Sequence, residues 1–173
     1  MKLLRWLIGV VACALAGQYL LALLVPSMAM ETLYAVGSKQ VGYNQLVVSQ
    51  VPDETTRTVV RPSPDLIYAS CIYNLEDGPI VIEAKIPARY WSMQFYQMNT
   101  DNYAGITNQR EERHRVGSMV KVTLIGNDQS PDDYTGEVIQ SPTQRGMVLL
   151  RASAIGDRSQ QQAALNASSC GPA

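Results

Sequence analysis

The chain has 173 residues, 46% of them hydrophobic, enough for one domain with a core of its own. Its formal net charge is −1. That balance speaks against a nucleic-acid binder, which needs a concentrated basic surface to neutralise phosphates.

Residues 7–25 are almost wholly apolar, interrupted by Gly9, Gly17, Gln18 and Tyr19. At a rise of about 1.5 Å per residue, about 20 helical residues cross a hydrocarbon core of about 30 Å. Lys2 and Arg5 on the short N-terminal flank hold that end in the cytoplasm, so the remainder is exported. Ser27-Met28-Ala29 is a passable cleavage site for a signal peptide. The apolar run exceeds the roughly 7–15 residues of a signal core, however, which favours an uncleaved anchor over residues 1–29. Val10-Val11-Ala12-Cys13 loosely resembles a lipobox, but strong hydrophobicity continues after Cys13.

Residues 30–45 form a juxtamembrane segment that extends the helix until it frays at Gly37 or Gly42. A short strand over 46–51 and a turn at Pro52-Asp53-Glu54 come next, then an extended Thr/Val-rich run to Arg61. Pro62 and Pro64 stiffen the following corner. Residues 66–75 predict a central strand with Ile67, Ala69, Cys71 and Tyr73 on one face. A turn at Asp77-Gly78-Pro79 leads into 80–86, where Ile80, Ile82, Ala84 and Ile86 alternate with Val81, Glu83 and Lys85. The pair reads as a hairpin with one buried face. Residues 90–98 carry aromatic and Met side chains on both faces, as in a strand buried between layers.

Residues 99–115 are polar and end in the charged run 110–115. Strands resume at 119–125, 137–140 and 147–152, and 159–167 suits a short helix capped by Asp157 or Ser159. Residues 169–173 read as a tail. The whole is a mainly β fold, an antiparallel β-sandwich or barrel-like domain over 46–168, with an N-terminal transmembrane helix and a short C-terminal helix. Cys71 and Cys170 lie outside the membrane segment, and an oxidising compartment permits them to pair. A buried free thiol in the apolar strand around Cys71 is the competing and favoured reading.

Few residues point to chemistry. The single histidine, His114, sits between Arg113 and Arg115, which disfavour its protonated form. No zinc-ligand spacing, nucleophile elbow, phosphate-cradling loop or dinucleotide fingerprint occurs, and Asp128, Asp132 and Asp133 lack the calcium-loop pattern. No metal or cofactor is expected. There remains a polar-aromatic group of Arg61, Asp65, Tyr68, Tyr90, Gln94, Tyr96 and Asn102. Tyr90, Ser92, Gln94 and Tyr96 share one strand face by period two, and such faces make small-ligand and sugar sites. Arg61 and Asp65, four apart around two prolines, read first as a pair pinning the corner.

The run Val59-Val60-Arg61-Pro62-Ser63-Pro64-Asp65-Leu66-Ile67-Tyr68-Ala69-Ser70, followed by Asp77-Gly78-Pro79, resembles the signature of the bacterial domain-of-unknown-function family 1254. Arg89-Tyr90-Trp91-Ser92-Met93-Gln94, Thr100-Asp101-Asn102-Tyr103, Ser141-Pro142-Thr143, Arg151, Gly156-Asp157 and Gln160-Gln161-Gln162 are similar to its later motifs. Ser63 and Leu66 depart from that family's Asn and Thr. The resemblance implies an envelope setting: a bacterial inner membrane crossed once, with the C-terminal domain in the periplasm. In longer members a second domain, of family 1214, follows in the same chain. The resemblance therefore implies a companion family 1214 protein or a homo-oligomer. The expected function is a non-catalytic binding or assembly module. The alternative is a periplasmic sugar-like ligand binder, or a hydrolase built on carboxylates such as Asp65 and Asp101 with tyrosines.

Overall fold

The computed structural model describes residues 2–50, 52–53, 55–56, 62–109 and 116–173. Helix α1 runs unbroken from Lys2 to Val41, so the segments expected as anchor and juxtamembrane stretch are one helix of 40 residues, about 60 Å long. It is the one helix among the described residues long and apolar enough to cross a membrane. Pro26 lies inside it, where the ring removes one backbone donor and favours a kink. Beyond Pro26 the helix changes character: Met30 and Tyr34 are buried, whereas the apolar residues before it are exposed. Gly42 ends it at φ +92°, the left-handed turn that favours glycine, with its N–H returning to Ser38 O at 2.9 Å.

Among the described residues nine strands follow: β1 Leu46–Val48, β2 Leu66–Asn74, β3 Ile80–Lys85, β4 Trp91–Gln97, β5 Asn102–Thr107, β6 Met119–Ile125, β7 Glu137–Gln140, β8 Arg145–Ser153 and β9 Ser169–Pro172. They form a five-stranded sheet in the order β1-β2-β8-β4-β5 and a four-stranded sheet in the order β7-β6-β3-β9. All pairings are antiparallel except β6 with β7. The architecture is a sandwich and not a closed barrel. Helix α2, Arg158–Asn166, is capped by Asp157, whose side chain accepts from the Ser159 and Gln160 N–H groups. The Ser159 hydroxyl bond is the main reason the Asp157 carboxyl stays below the usual carboxylate range.

The core is the alternation made solid. Ile67, Ala69, Cys71 and Tyr73 of β2, Trp91, Met93 and Phe95 of β4, and Val148, Leu150 and Ala152 of β8 face Ile80, Ile82, Ala84, Val120, Val122 and Leu124 of the other sheet. All are essentially inaccessible to water, and each large aliphatic side chain so buried contributes about 1.5–3 kcal/mol.

Three expectations are corrected. Strands β2 and β3 are not a hairpin: β2 pairs with β1 and β8, and β3 with β6 and β9. The Asp77-Gly78-Pro79 turn therefore carries the chain from one sheet to the other. Both strands bury one face as expected, because both line the same core. Residues 169–173 are not simply a tail, since Ser169–Pro172 forms β9 on β3. Finally, Cys71 and Cys170 are joined in a disulfide. It crosses the sandwich from β2 to β9 and closes 99 residues of chain, a loop whose cross-linking is worth about 4–5 kcal/mol on the chain-entropy account.

Candidate functional site

The outward face of the five-stranded sheet gathers most of the polar-aromatic residues. Strand register sets them in rows. Tyr68, Arg151, Ser92 and Thr107 are neighbours across β2, β8, β4 and β5. Ser70, Leu149, Gln94 and Gly105 form the next row, and Ile72, Met147, Tyr96 and Asn102 the third. Tyr90, just before β4, joins the first row: its hydroxyl donates to Ser92 Oγ at 3.0 Å. The Ser63 N–H donates to the Tyr68 hydroxyl at 2.9 Å, and Asn102 Nδ2 donates to Gln94 Oε1 at 2.8 Å. Arg151 Nε donates to the buried Ser92 Oγ at 3.2 Å.

Five of the seven sequence-derived residues, Tyr68, Tyr90, Gln94, Tyr96 and Asn102, thus share one face. Asp65 does not join them: it is exposed on the loop before β2, where its carbonyl accepts from Ala154 N–H at 2.7 Å. Arg61 lies outside the described residues, as does His114. The residue missing from the sequence-derived group is Arg151. Its place in β8, between the apolar Leu149 and Ser153, carries no local sign that it shares a row with Tyr68 and Ser92.

The third row is partly covered by α1. Gly37 lies against the Ile72 side chain, Glu31 Oε1 pairs with Arg145 Nη2 at 3.1 Å, and the Arg145 guanidinium sits 5.2 Å from the centre of the Tyr34 ring. Tyr34 stacks on Tyr43 with ring centres 5.4 Å apart. Asn44 closes the corner after the helix through two bonds of 2.9 Å to the Asn74 backbone.

A second polar group lies on the inward side. The Tyr73 hydroxyl is 2.8 Å from Ser141 Oγ and 3.1 Å from the Tyr103 hydroxyl. Ser141 in turn donates to Thr143 O at 2.6 Å. The Tyr73 hydroxyl also lies 3.3 Å from the Tyr96 carbonyl, so the group ends on two backbone carbonyls, those of Tyr96 and Thr143. Gly146 makes room for it, since a Cβ there would meet the Tyr73 hydroxyl. Burial raises the pKa of Tyr103 and of Tyr73 well above the ordinary tyrosine value. The chain of bonds closes on the protein itself and pins strands together.

Neither group supplies paired carboxylates. Asp65 precedes Leu66, which faces Ser153 of β8. Asp101 precedes Asn102, which faces Tyr96 and through it Met147. The two acids therefore sit at opposite ends of the sheet, about 20 Å apart at ~3.3 Å per strand residue. A glycosidase pair needs about 5–9.5 Å. Asp101 accepts instead from Asn99 Nδ2 and Gln97 Nε2 in the β4–β5 turn. Among the described residues no three His, Cys, Asp or Glu side chains converge as a metal site.

No curated protein matches the sequence. Among solved structures, the VPA0106 protein of Vibrio parahaemolyticus superposes with a TM-score of 0.64 at 10% identity, covering 88% of this chain and 36% of its own. An uncharacterised protein of Burkholderia cenocepacia gives a TM-score of 0.48 at 13% identity, covering 85% of this chain and 39% of its own. The Vibrio likeness is one of fold, and this chain spans little more than a third of either protein. The family model described as protein of unknown function, DUF1254, matches residues 43–169. These are the residues from the end of α1 to the start of β9, and the chain belongs to that family.

Proposed function

We propose that the protein is a membrane-tethered envelope domain that binds and assembles and does no chemistry of its own, its sandwich lying on the periplasmic side of a bacterial inner membrane. The observation that carries this reading is the seating of α1: its apolar first part is exposed, and Met30 and Tyr34 further along are buried against the domain. One helix is thus both candidate span and structural member. Lys2 and Arg5 favour a cytoplasmic N-terminus, and the Cys71–Cys170 disulfide favours an oxidising compartment for the sandwich. The companion is a β domain of family 1214 or a second copy of this chain. Among the described residues β1 and β5 end the strand order of one sheet and β7 and β9 that of the other, and sheet edges suit such a partner. In the Vibrio protein the matched fold is 36% of a larger chain, which supports a domain that works beside another. The separation of Asp65 from Asp101 weighs against the hydrolase.

A reporter active only outside the cytoplasm, fused after Ala173, is expected to give signal in the membrane fraction. Soluble mature protein starting at Met30 would overturn the tether. Gentle detergent extraction and mass measurement of the intact particle is expected to give a complex, and a strict monomer would remove the assembly half of the reading.

A further inference from the structure

On the outward face of the five-stranded sheet, Arg151 is a half-buried cation with no counter-charge among the described residues. Its neighbours set its orientation. Nε is held by Ser92 Oγ at 3.2 Å. Ser92 is itself 1% exposed and receives a second bond from the Tyr90 hydroxyl. With the Nε edge fixed on a buried hydroxyl, the two terminal nitrogens make up the remaining fork. Among the described residues no carboxylate pairs with Arg151, and the ion pairs there are Lys121 with Glu83 and Arg145 with Glu31. The adjoining position across β2 is Tyr68, whose hydroxyl accepts from the Ser63 N–H and retains its own proton to donate.

We propose that this row is a binding site for a carboxylate-bearing small molecule, with Arg151 as its bidentate partner and the Tyr68 and Tyr90 rings beside it. A guanidinium fork matches the two oxygens of a carboxylate in spacing and plane, and such charge-assisted pairs are roughly twice as strong as neutral bonds. The single guanidinium fork takes one carboxylate group and leaves any second carboxylate of the ligand in solvent, whereas phosphate gathers its charge on one tetrahedral centre. Ser92 is a positioning residue: it holds Nε so that the fork faces away from the sheet. The aromatic rings in the same row suit an apolar or sugar-like body attached to the acid. This site is independent of the tether and of any companion domain, since it uses neither α1 nor a sheet edge.

The test is calorimetric titration of the full chain in detergent with succinate, its uncharged counterpart succinamide, and inorganic phosphate. Succinate is expected to bind, succinamide to bind at least about tenfold more weakly, and Arg151→Gln to weaken succinate by about the same factor. Ser92→Ala is expected to give a smaller loss. Arg151→Lys keeps the charge but not the fork, and it guards against a folding defect in the Gln variant: it is expected to fold and to bind succinate several-fold more weakly. The proposal is overturned by unchanged affinity in both Arg151 variants, by equal binding of succinamide, by no binding of succinate to the unaltered chain, or by tighter binding of phosphate than of succinate.

Discussion

The two sheets have inner faces equally closed to water and outer ones that differ. Inward, β3 and β6 present Ile, Val, Leu and Ala, and the five-stranded sheet adds Cys71, Tyr73, Trp91, Met93 and Phe95 to such aliphatics, all closed to water. Outward, the four-stranded sheet shows Val81, Glu83, Lys121 and Thr123, with Lys121 Nζ paired to Glu83 at 3.2 Å and both side chains well exposed. The five-stranded sheet shows Tyr68, Ser92, Gln94, Tyr96, Leu149 and Arg151 in half-buried or buried positions, and it also receives the last turns of α1. The inner faces answer the demand for a core, which any aliphatic pattern of the right volume meets. The outer face of the five-stranded sheet exceeds that demand, and the surplus is where binding and docking are to be sought.

The sharpest way to break this contrast is to charge an inner face. Ile67→Asp places a carboxylate at a position with no exposure, and it is expected to cost several kcal/mol or prevent folding, since a buried unpaired charge is not tolerated. Glu83→Ala, on the outer face of the other sheet, removes one exposed ion pair and is expected to cost under about 1 kcal/mol. Chemical denaturation of both variants measures the gap, and equal losses would mean that the face assignment is wrong.

The next largest effect concerns α1. A Cβ at Gly37 would run into the Ile72 side chain. Gly37→Leu is therefore expected to lift the last turns of the helix from the sheet, at a cost of about 1–3 kcal/mol. Faster trypsin cleavage after Lys39 would report it. Cleavage at the unaltered rate would mean that the helix is not seated where its contacts put it.

A smaller effect separates two buried tyrosines. Tyr73→Phe breaks a hydroxyl chain and is expected to cost about 1–3 kcal/mol, because Ser141 and Tyr103 lose a buried partner. Tyr34 has a buried hydroxyl without a partner among the described residues, so Tyr34→Phe is expected to be neutral or mildly stabilising. Burial also raises the pKa of Tyr73 and Tyr103 in the folded chain. Their contribution is fully present below about pH 10, where unfolded tyrosine is still protonated, and is lost as pH rises above it. Denaturation midpoints of the unaltered chain are expected to fall on that alkaline side, and less so in Tyr73→Phe. A flat profile from pH 9 to 11 would count against the buried pair.

Much of this was readable in the sequence because alternation is a property of single strands. β6 and β7 fall on the expected residues, and the buried sides of β2 and β3 follow from their periods. Pairing is a property of two strands, and there the reading failed. The Asp77-Gly78-Pro79 turn is real, yet nothing local says that it crosses between sheets. Strand β5 was hidden because Asn102, Gly105 and Thr107 are weak strand formers, and its place comes from β4 alongside it. Strand β9 is Ser-Cys-Gly-Pro, held by β3 and by the disulfide more than by propensity. The candidate site divides the same way. Period two put Tyr90, Ser92, Gln94 and Tyr96 on one face correctly, while Arg151 joined them only through the β4–β8 register.

The disulfide also has a consequence in time. Cys71 and Cys170 are 99 residues apart, so at about 5–20 residues per second the first thiol emerges about 5–20 s before its partner exists. Throughout that interval β9 is absent, β3 has one open edge, and Cys71 is a thiol in search of an oxidised partner. The nearest equivalent on another nascent copy is that copy's own Cys71. Slower synthesis lengthens the time for which Cys71 stands open to other oxidised thiols, and faster completion of the chain shortens the wait for the staple.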